Sequence, residues 1–271
     1  MAGVAECGFV NGLRAHLHRL VKHLKWISVA VAGAMASRYL LPIDMLRSAN
    51  ELGGSFLQTF GGMYGVIVAF AIYVTWGQLN ETQVAIEREA VTLLELYRIL
   101  GWFTTWLERD TVRTRLVEYA VTVPKSHRAN APAEKFDEHR VIDASMAKFL
   151  NHAPGTPAEE RLHSLALDLF HELNECREHR VTVSSLKLPL GMRWFVFIGG
   201  AITVGSMFFV WVDSALIQAL FTAGMTWVVV AAASIVVDLD DPYTGDFIVN
   251  WQRFNETARL MELVHCPTGP K

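Results

Sequence analysis

Two stretches of this chain run for longer than twenty residues without a charge: 55–76, SFLQTFGGMYGVIVAFAIYVTW, and 214–237, SALIQALFTAGMTWVVVAAASIVV. About 20 apolar residues of helix cross the hydrocarbon layer of a bilayer. In lipid every backbone N–H and C=O must be bonded within the segment, so such blocks are helices. A third block runs from about Leu188 to Val212, flanked by Trp194 and Trp211 as interfacial aromatics would flank it. A shorter first block runs from Trp26 to about Leu41, limited by Arg38 and Pro42. Its stretch AGAMAS, with Ala34 and Ala36, also allows a cleaved leader as the rival reading. The chain is 52% apolar, and those residues are concentrated in these blocks.

The fold class expected is all-α: an integral membrane protein with four transmembrane helices and a helical cytoplasmic lobe between helices 2 and 3. The whole chain, 1–271, reads as one unit. Residues 10–25 form a basic amphipathic helix with Val10, Leu13, Leu17, Leu20, Val21 and Leu24 on one side, suited to an anionic inner leaflet. Residues 26–76 hold the first two spans, 77–187 the lobe, 188–237 a tight hairpin of two spans, and 238–271 the tail. Only Asp213 separates the third and fourth blocks, and it is placed to cap the fourth helix. Lys and Arg number four before Trp26, fourteen over 77–187 and three after Val237, while the linker between the first two blocks holds only Arg47. Both termini and the lobe are therefore expected in the cytoplasm, with the protein in the cell's inner membrane.

Within the lobe the second span continues as one rod. Leu79, Ile86, Ala90, Leu93, Tyr97 and Leu100 form a seam at three- and four-residue steps. A second helix carries Val112, Leu116 and Tyr119 and ends at Pro124; a third runs from Phe136 to Leu150. A long helix opens with Thr156 as cap, Pro157 in the first turn and Glu159 reaching back. Its seam is Leu162, Leu165, Leu169, Leu173 and Cys176, and it is expected to lie antiparallel to the rod.

Several function classes are excluded. A net charge of -3 gives no footprint for nucleic acid. The three cysteines, Cys7, Cys176 and Cys266, have no metal spacing and read as free thiols. His163, His171 and His179 recur every eight residues, which drifts around a helix instead of building a metal site. No nucleophile–base pair can be assembled, so the chain is not read as an enzyme. Titratable groups are nearly absent from the spans, which argues against a proton-coupled transporter.

Three places carry a family likeness. FGGMYGVIVAFAIYVTWGQLNE is an aromatic, glycine-rich second span ending in Trp76 and Gln78. NECREHRVTVSSLKLPLGMRW is a basic helix leading through Pro189 into the third span. VVDLDDPYTGDF closes the fourth. Together these resemble the bacterial bestrophin-like membrane family and, more distantly, the bestrophin anion channels. Bestrophins have a W-x-Q step after the second span and an acidic D-P-aromatic-G stretch after the fourth. Asp241, Pro242, Tyr243 and Gly245 match the latter with one extra residue, Thr244. The arginine that precedes the tryptophan in bestrophins is replaced by Thr75, and the acidic run is shorter than a calcium clasp.

The resemblance implies a symmetric homo-oligomer conducting a chloride-type anion through a pore lined by the second helix. Phe56, Phe60, Tyr64, Ile67 and Val68 are then the lining candidates, forming a constriction that can gate by dewetting. Lipid-facing or helix-packing aromatics are the bland alternative. A non-conducting membrane sensor or scaffold acting through the lobe is the alternative function. The acids Asp238, Asp240, Asp241 and Asp246 read as a helix stop and a polar turn, with Gly245 free to take positive φ and Asp246 capping a helix over 247–264. Arg177, Arg180 and Lys187 are the expected ion-pair partners of Asp238 and Asp240. No cofactor is called for. The resemblance leaves calcium open, but Asp240, Asp241 and Asp246 supply few of the six to eight oxygens calcium takes.

Overall fold

A computed structural model describes residues 23–103, 106–127 and 137–265, and all regular structure among them is helical. The interfacial helix expected over 10–25 lies almost wholly outside the described residues, as do Cys7 and Cys266. The elements are α1 (23–40), α2 (Ile43–Leu100), α3 (Arg109–Ser126), α4 (Glu138–Leu150), α5 (Pro157–Ser185), α6 (Leu190–Ser206), α7 (Ala215–Leu239) and α8 (Gln252–His265). They gather into two compact units. One comprises Met1–Thr75 with Leu188–Val237, the other Trp76–Lys187 with Asp238–Lys271. Among the described residues, three stretches are helical and apolar enough to cross a membrane: Asn50–Leu100, Pro157–Ser206 and Ala215–Leu239. The chain is a multi-pass membrane protein.

α2 is a single helix of 58 residues, about 87 Å long at 1.5 Å per residue. It starts at Ile43, so the linker expected before Ser55 is itself helical. In the first unit, Tyr64 is the keystone. Its ring lies where a Cβ on Gly199 would come within 2.7 Å of it. Its hydroxyl donates to the Val196 carbonyl at 3.0 Å. The paired glycines of α6 thus form the slot that admits a tyrosine. α1 runs antiparallel to α7, since His23 meets Ser234 at 3.2 Å and Arg38 donates to Gln218 at 2.6 Å. Its buried side is small, Ala30, Ala34 and Ser37, which allows close helix approach in lipid.

The hairpin expected around Asp213 is looser than the sequence implied. α6 ends at Ser206, and residues 207–214 form a loop whose polar backbone is taken up by side chains. Asn50 both accepts from the Trp211 N–H and donates to its carbonyl, at 3.0 and 3.1 Å. Gln218 donates to Val210 O, and Arg38 to Val212 O. Asp213 does not cap α7. Its carboxylate accepts from Arg47 and from the Trp211 indole, while Ser214 Oγ faces the Ile217 N–H at 3.5 Å.

The second unit is a helical lobe around Ile86, Leu93, Tyr97, Leu116, Tyr119, Phe149, Phe170 and Phe254. The α2 seam is buried from Ile86 to Leu100, with Leu79 partly so. α5 lies antiparallel to it, as the pairs Glu81–His179 and Arg88–Glu172 require. The α5 seam is rotated from the expected one. Leu165 is exposed, and Ala166 and Phe170 take the buried side with Leu169, Leu173 and Cys176. Thr156 caps α5 as read, accepting from the Glu159 N–H, and Glu159 reaches back one residue further, to the Gly155 N–H. α3 does not stop at Pro124 but includes it in its last turn and ends at Ser126; a proline there breaks a bond near a helix end, where fewer are at stake. α4 begins at Glu138, capped by Asp137; Phe136 lies outside the described residues.

Candidate functional site

The first candidate is the membrane portion of α2. The expected stripe Phe56, Phe60, Tyr64, Ile67, Val68 divides in two. Tyr64 and Val68 are 5% exposed and face the core of their own unit. Phe56 and Phe60 stack on each other, centroids 5.4 Å apart, with Phe56 exposed and Phe60 half-buried. Ile67 is also half-buried, and Met63 and Phe70 are exposed beside it. Phe56, Phe60, Met63, Ile67 and Phe70 follow at steps of four and three, one side of a helix. Beyond them the helix presents Gly62, Val66 and Tyr73 openly. A Cβ on Gly54, Gly61, Gly62, Gly65 or Gly77 would meet nothing within 4 Å.

The second candidate is the turn after α7. The helix runs through Asp238 to Leu239 before it stops, two residues past Val237. The stop is the turn read from the sequence. Asp241 Oδ1 accepts from the Tyr243 N–H, the Thr244 N–H points at Asp241 O, and Gly245 has φ 96°. Asp246 does not cap a helix over 247–264. Residues 247–251 are not helical: Val249 and Trp251 are buried in the lobe's core, and Gln83 of α2 bonds both ways with the Asn250 backbone, at 3.2 and 2.7 Å. α8 therefore starts at Gln252, whose N–H is taken by the Asn250 side chain.

The expected ion pairs are redistributed. Lys187 does reach the turn, donating to the Asp240 carbonyl at 2.8 Å and lying 3.9 Å from the Asp241 carboxylate. Arg180 goes to neither Asp238 nor Asp240. Its guanidinium is fully buried between Glu89 on α2 and Glu138 on α4, with 2.5 Å contacts to both. Arg177 lies 3.7 Å from Glu138 as well. The Tyr119 hydroxyl donates to the other Glu89 oxygen. Burial works against the Arg180 charge, but Glu89 and Glu138 outweigh it and hold its pKa well above the ordinary guanidinium value. Burial, then the Glu89 charge, holds the Tyr119 hydroxyl well above its usual value. Burial also raises the Cys176 thiol, which is free.

Glu89 and Glu138 were not singled out from the sequence, and Tyr119 was read only as part of a helix's apolar side. The signal was present in Glu89, a carboxylate one residue from the buried seam position Ala90, where a solvated charge has no place. Among the described residues no three of His, Cys, Asp and Glu gather so as to hold a metal ion.

A family model described as a bestrophin-like domain matches residues 25–254. Crystal structures of a bacterial bestrophin homolog from Klebsiella pneumoniae share the fold. One single-site mutant is 13% identical, with a TM-score of 0.70 over 90% of this chain and 100% of that one. Another mutant gives 13% and 0.72 over 89% and 96%. A third structure gives 11% and 0.70 over 88% and 96%. At such identities the likeness concerns the fold. No curated protein matches the sequence.

Proposed function

We propose that this chain, which belongs to the bestrophin-like family, assembles into a symmetric homo-oligomer that conducts anions of the chloride type along an axis lined by α2. The observation that carries the reading is the open glycine side of that helix. A Cβ added at Gly54, Gly61, Gly62, Gly65 or Gly77 would meet nothing of the described chain within 4 Å. Each glycine inside a helix costs about 1 kcal/mol relative to alanine. Glycines are tolerated at that cost where another backbone comes close. A neighbouring helix approaching along Gly54, Gly61 and Gly65, which share one strip of α2 at steps of seven and four, accounts for those three.

The pore face then comprises Phe56, Phe60, Met63, Ile67 and Phe70. Tyr64 and Val68 belong to the wall behind it. Apolar rings give a constriction that opens and closes by wetting, and an anion crosses it without a fixed charge in the span. The four-span topology draws support from α1. It lies along α7 from Ser234 to Gln218, about 24 Å at 1.5 Å per residue, so where α7 crosses, α1 crosses with it. The Lys and Arg distribution supports a cytoplasmic location for both termini and the lobe.

The experiment is anion efflux from liposomes loaded with chloride and containing the purified protein. The proposal expects efflux that Phe60→Ala or Phe56→Ala raises by widening the constriction. Oligomeric protein that releases no chloride, with wild-type and variants alike silent, leaves the non-conducting scaffold as the reading.

A further inference from the structure

α2 crosses its apolar block as one helix, and the turn most open to bending is GGMYG, 61–65, where three of five residues are glycine. A Cβ on Gly61, Gly62 or Gly65 would meet nothing of the described chain within 4 Å, so those positions do not brace the turn. Tyr64, in the middle of it, does. It is 5% exposed and belongs to one buried cluster with Val196 of α6 and Val229 of α7.

The fit of Tyr64 on α6 is steric and polar at once. A Cβ on Gly199 would lie 2.7 Å from Tyr64 Cδ2, and one on Gly200 would lie 2.9 Å from Tyr64 Oη and 2.7 Å from Val229 Cγ1. Side chains do not come that close, so the ring fills the space that two missing side chains leave. The hydroxyl donates to Val196 O at 3.0 Å, using the lone pair of that carbonyl that the helix leaves free. Phe195 lies beside the ring, with centroids 6.2 Å apart.

This slot is one turn long. Val196, four residues before Gly200, and Thr203, four after Gly199, are buried on the same side of α6, and both carry a Cβ. Sliding α2 along α6 to the next equivalent position is a step of about 5.4 Å. Either direction drives the Tyr64 ring onto one of those Cβ atoms. The hydroxyl would also leave Val196 O, and a buried hydroxyl without a partner is unfavourable. A single register of α2 on α6 meets both requirements. Phe60 stands four residues before Tyr64 and Ile67 three after it, so a seated Tyr64 fixes their depth and facing through the helix they share.

We propose that Tyr64 is a positioning residue that locks α2 to α6 in one register, and thereby sets the depth and facing of the constriction formed by Phe56, Phe60 and Ile67. The statement about the constriction rests on the channel reading, whereas the lock itself does not. Opening then comes from the side chains of the stripe or from movement of whole subunits, and not from α2 sliding along α6.

The test uses the full chain in liposomes, with its three cysteines replaced by alanine. Gly53 of α2 and Ile202 and Ser206 of α6 line one groove, and Ile202 and Ser206 are four residues apart. A Cβ on Gly53 meets only Val210 Cγ2, at 4.0 Å, so a side chain fits there. A short bis-maleimide joins Gly53→Cys to Ile202→Cys in one protein and to Ser206→Cys in another, and the ratio of the two yields reports the register. With the ring gone, nothing drives α2 back from Val196 or Thr203, and Tyr64→Ala is expected to change that ratio about tenfold. Tyr64→Phe keeps the ring in the slot and should keep the wild-type ratio. If Tyr64→Ala yields too little folded protein, Gly199→Ala, which expels the ring, decides by the same ratio. A ratio that neither change moves overturns the lock, as does an equal shift in Tyr64→Phe. Chloride efflux from the same liposomes separates the two readings. A shifted ratio with efflux absent or unaltered leaves the lock in place and removes α2 as the lining of an anion path.

Discussion

Arg180→Met removes the cation wedged between Glu89 and Glu138, and the structure sets the size of the loss. The arginine and Glu89 are completely buried and Glu138 nearly so. Two unit charges about 4 Å apart attract by roughly 4 kcal/mol where the effective dielectric is near 20. Removing one partner of a buried pair costs about 3–5 kcal/mol, because the charge left behind keeps its desolvation penalty. Here two carboxylates are left. Each kcal/mol moves the melting temperature of a unit this large by roughly 2–4 °C, so the lobe should melt about 10 °C or more below wild type. The assay is loss of helical circular dichroism on heating protein in one detergent. Adding Glu89→Gln to Arg180→Met should recover part of the loss, since one stranded charge is gone. Arg180→Lys should recover little, because an ammonium cannot span both carboxylates as the guanidinium fork does. A melting temperature for Arg180→Met within about 2 °C of wild type, less than 1 kcal/mol, would show that the cluster is solvated and the reasoning wrong.

Tyr119→Phe removes a buried hydrogen bond to a carboxylate and should cost about 1–3 kcal/mol at neutral pH. It should also flatten the alkaline limb. The folded Tyr119 keeps its proton to higher pH than the unfolded chain does, so its contribution is full below about pH 10 and is lost as pH rises through the folded value. Melts at about pH 9 and pH 11 check both parts. Gly200→Val places a Cβ 2.7 Å from Val229 Cγ1 and 2.9 Å from the Tyr64 hydroxyl; overpacking of this kind costs about 1–3 kcal/mol, read as lost thermal stability with Tyr64→Phe as the comparison. Gly62→Leu and Gly65→Leu meet open space within the chain. They should leave helix content unchanged and shift the oligomer towards monomer on size-exclusion light scattering in nanodiscs or mild detergent.

Charge-free length made α2 and α7 legible from sequence, because lipid leaves a segment no alternative to helix. The α2 seam was legible for the same kind of reason: steps of three and four bury one side, and Ile86 to Leu100 are buried accordingly. The ends of elements were harder. The α6–α7 loop is long because Asn50 and Arg38, far away in the chain, and Gln218 at the start of α7 bond its backbone, and local apolarity carries no trace of that. The turn at Asp241–Gly245 was visible in its proline and glycine, but the irregular stretch after it is held by Gln83, which local sequence does not show. Which of Phe56, Phe60, Tyr64, Ile67 and Val68 pack inside their own chain was not legible. Helical spacing cannot say which side of Phe60 faces inward; the glycine slot on α6 decides that Tyr64 does. The sequence reading paired Arg180 with Asp238 and Asp240 because both follow from segments at the same membrane face, whereas the lobe's folding brings Glu89 and Glu138 to it from two other helices.

The decisive measurement is the reversal potential of the purified protein in a planar bilayer under a tenfold gradient of potassium chloride. A path selective for anions should reverse near the chloride equilibrium potential, about 59 mV from zero, and Phe60→Ala should change the conductance while the sign of the reversal stays. Reversal at the potassium potential, or a silent bilayer containing verified oligomers, would contradict an anion pore lined by α2.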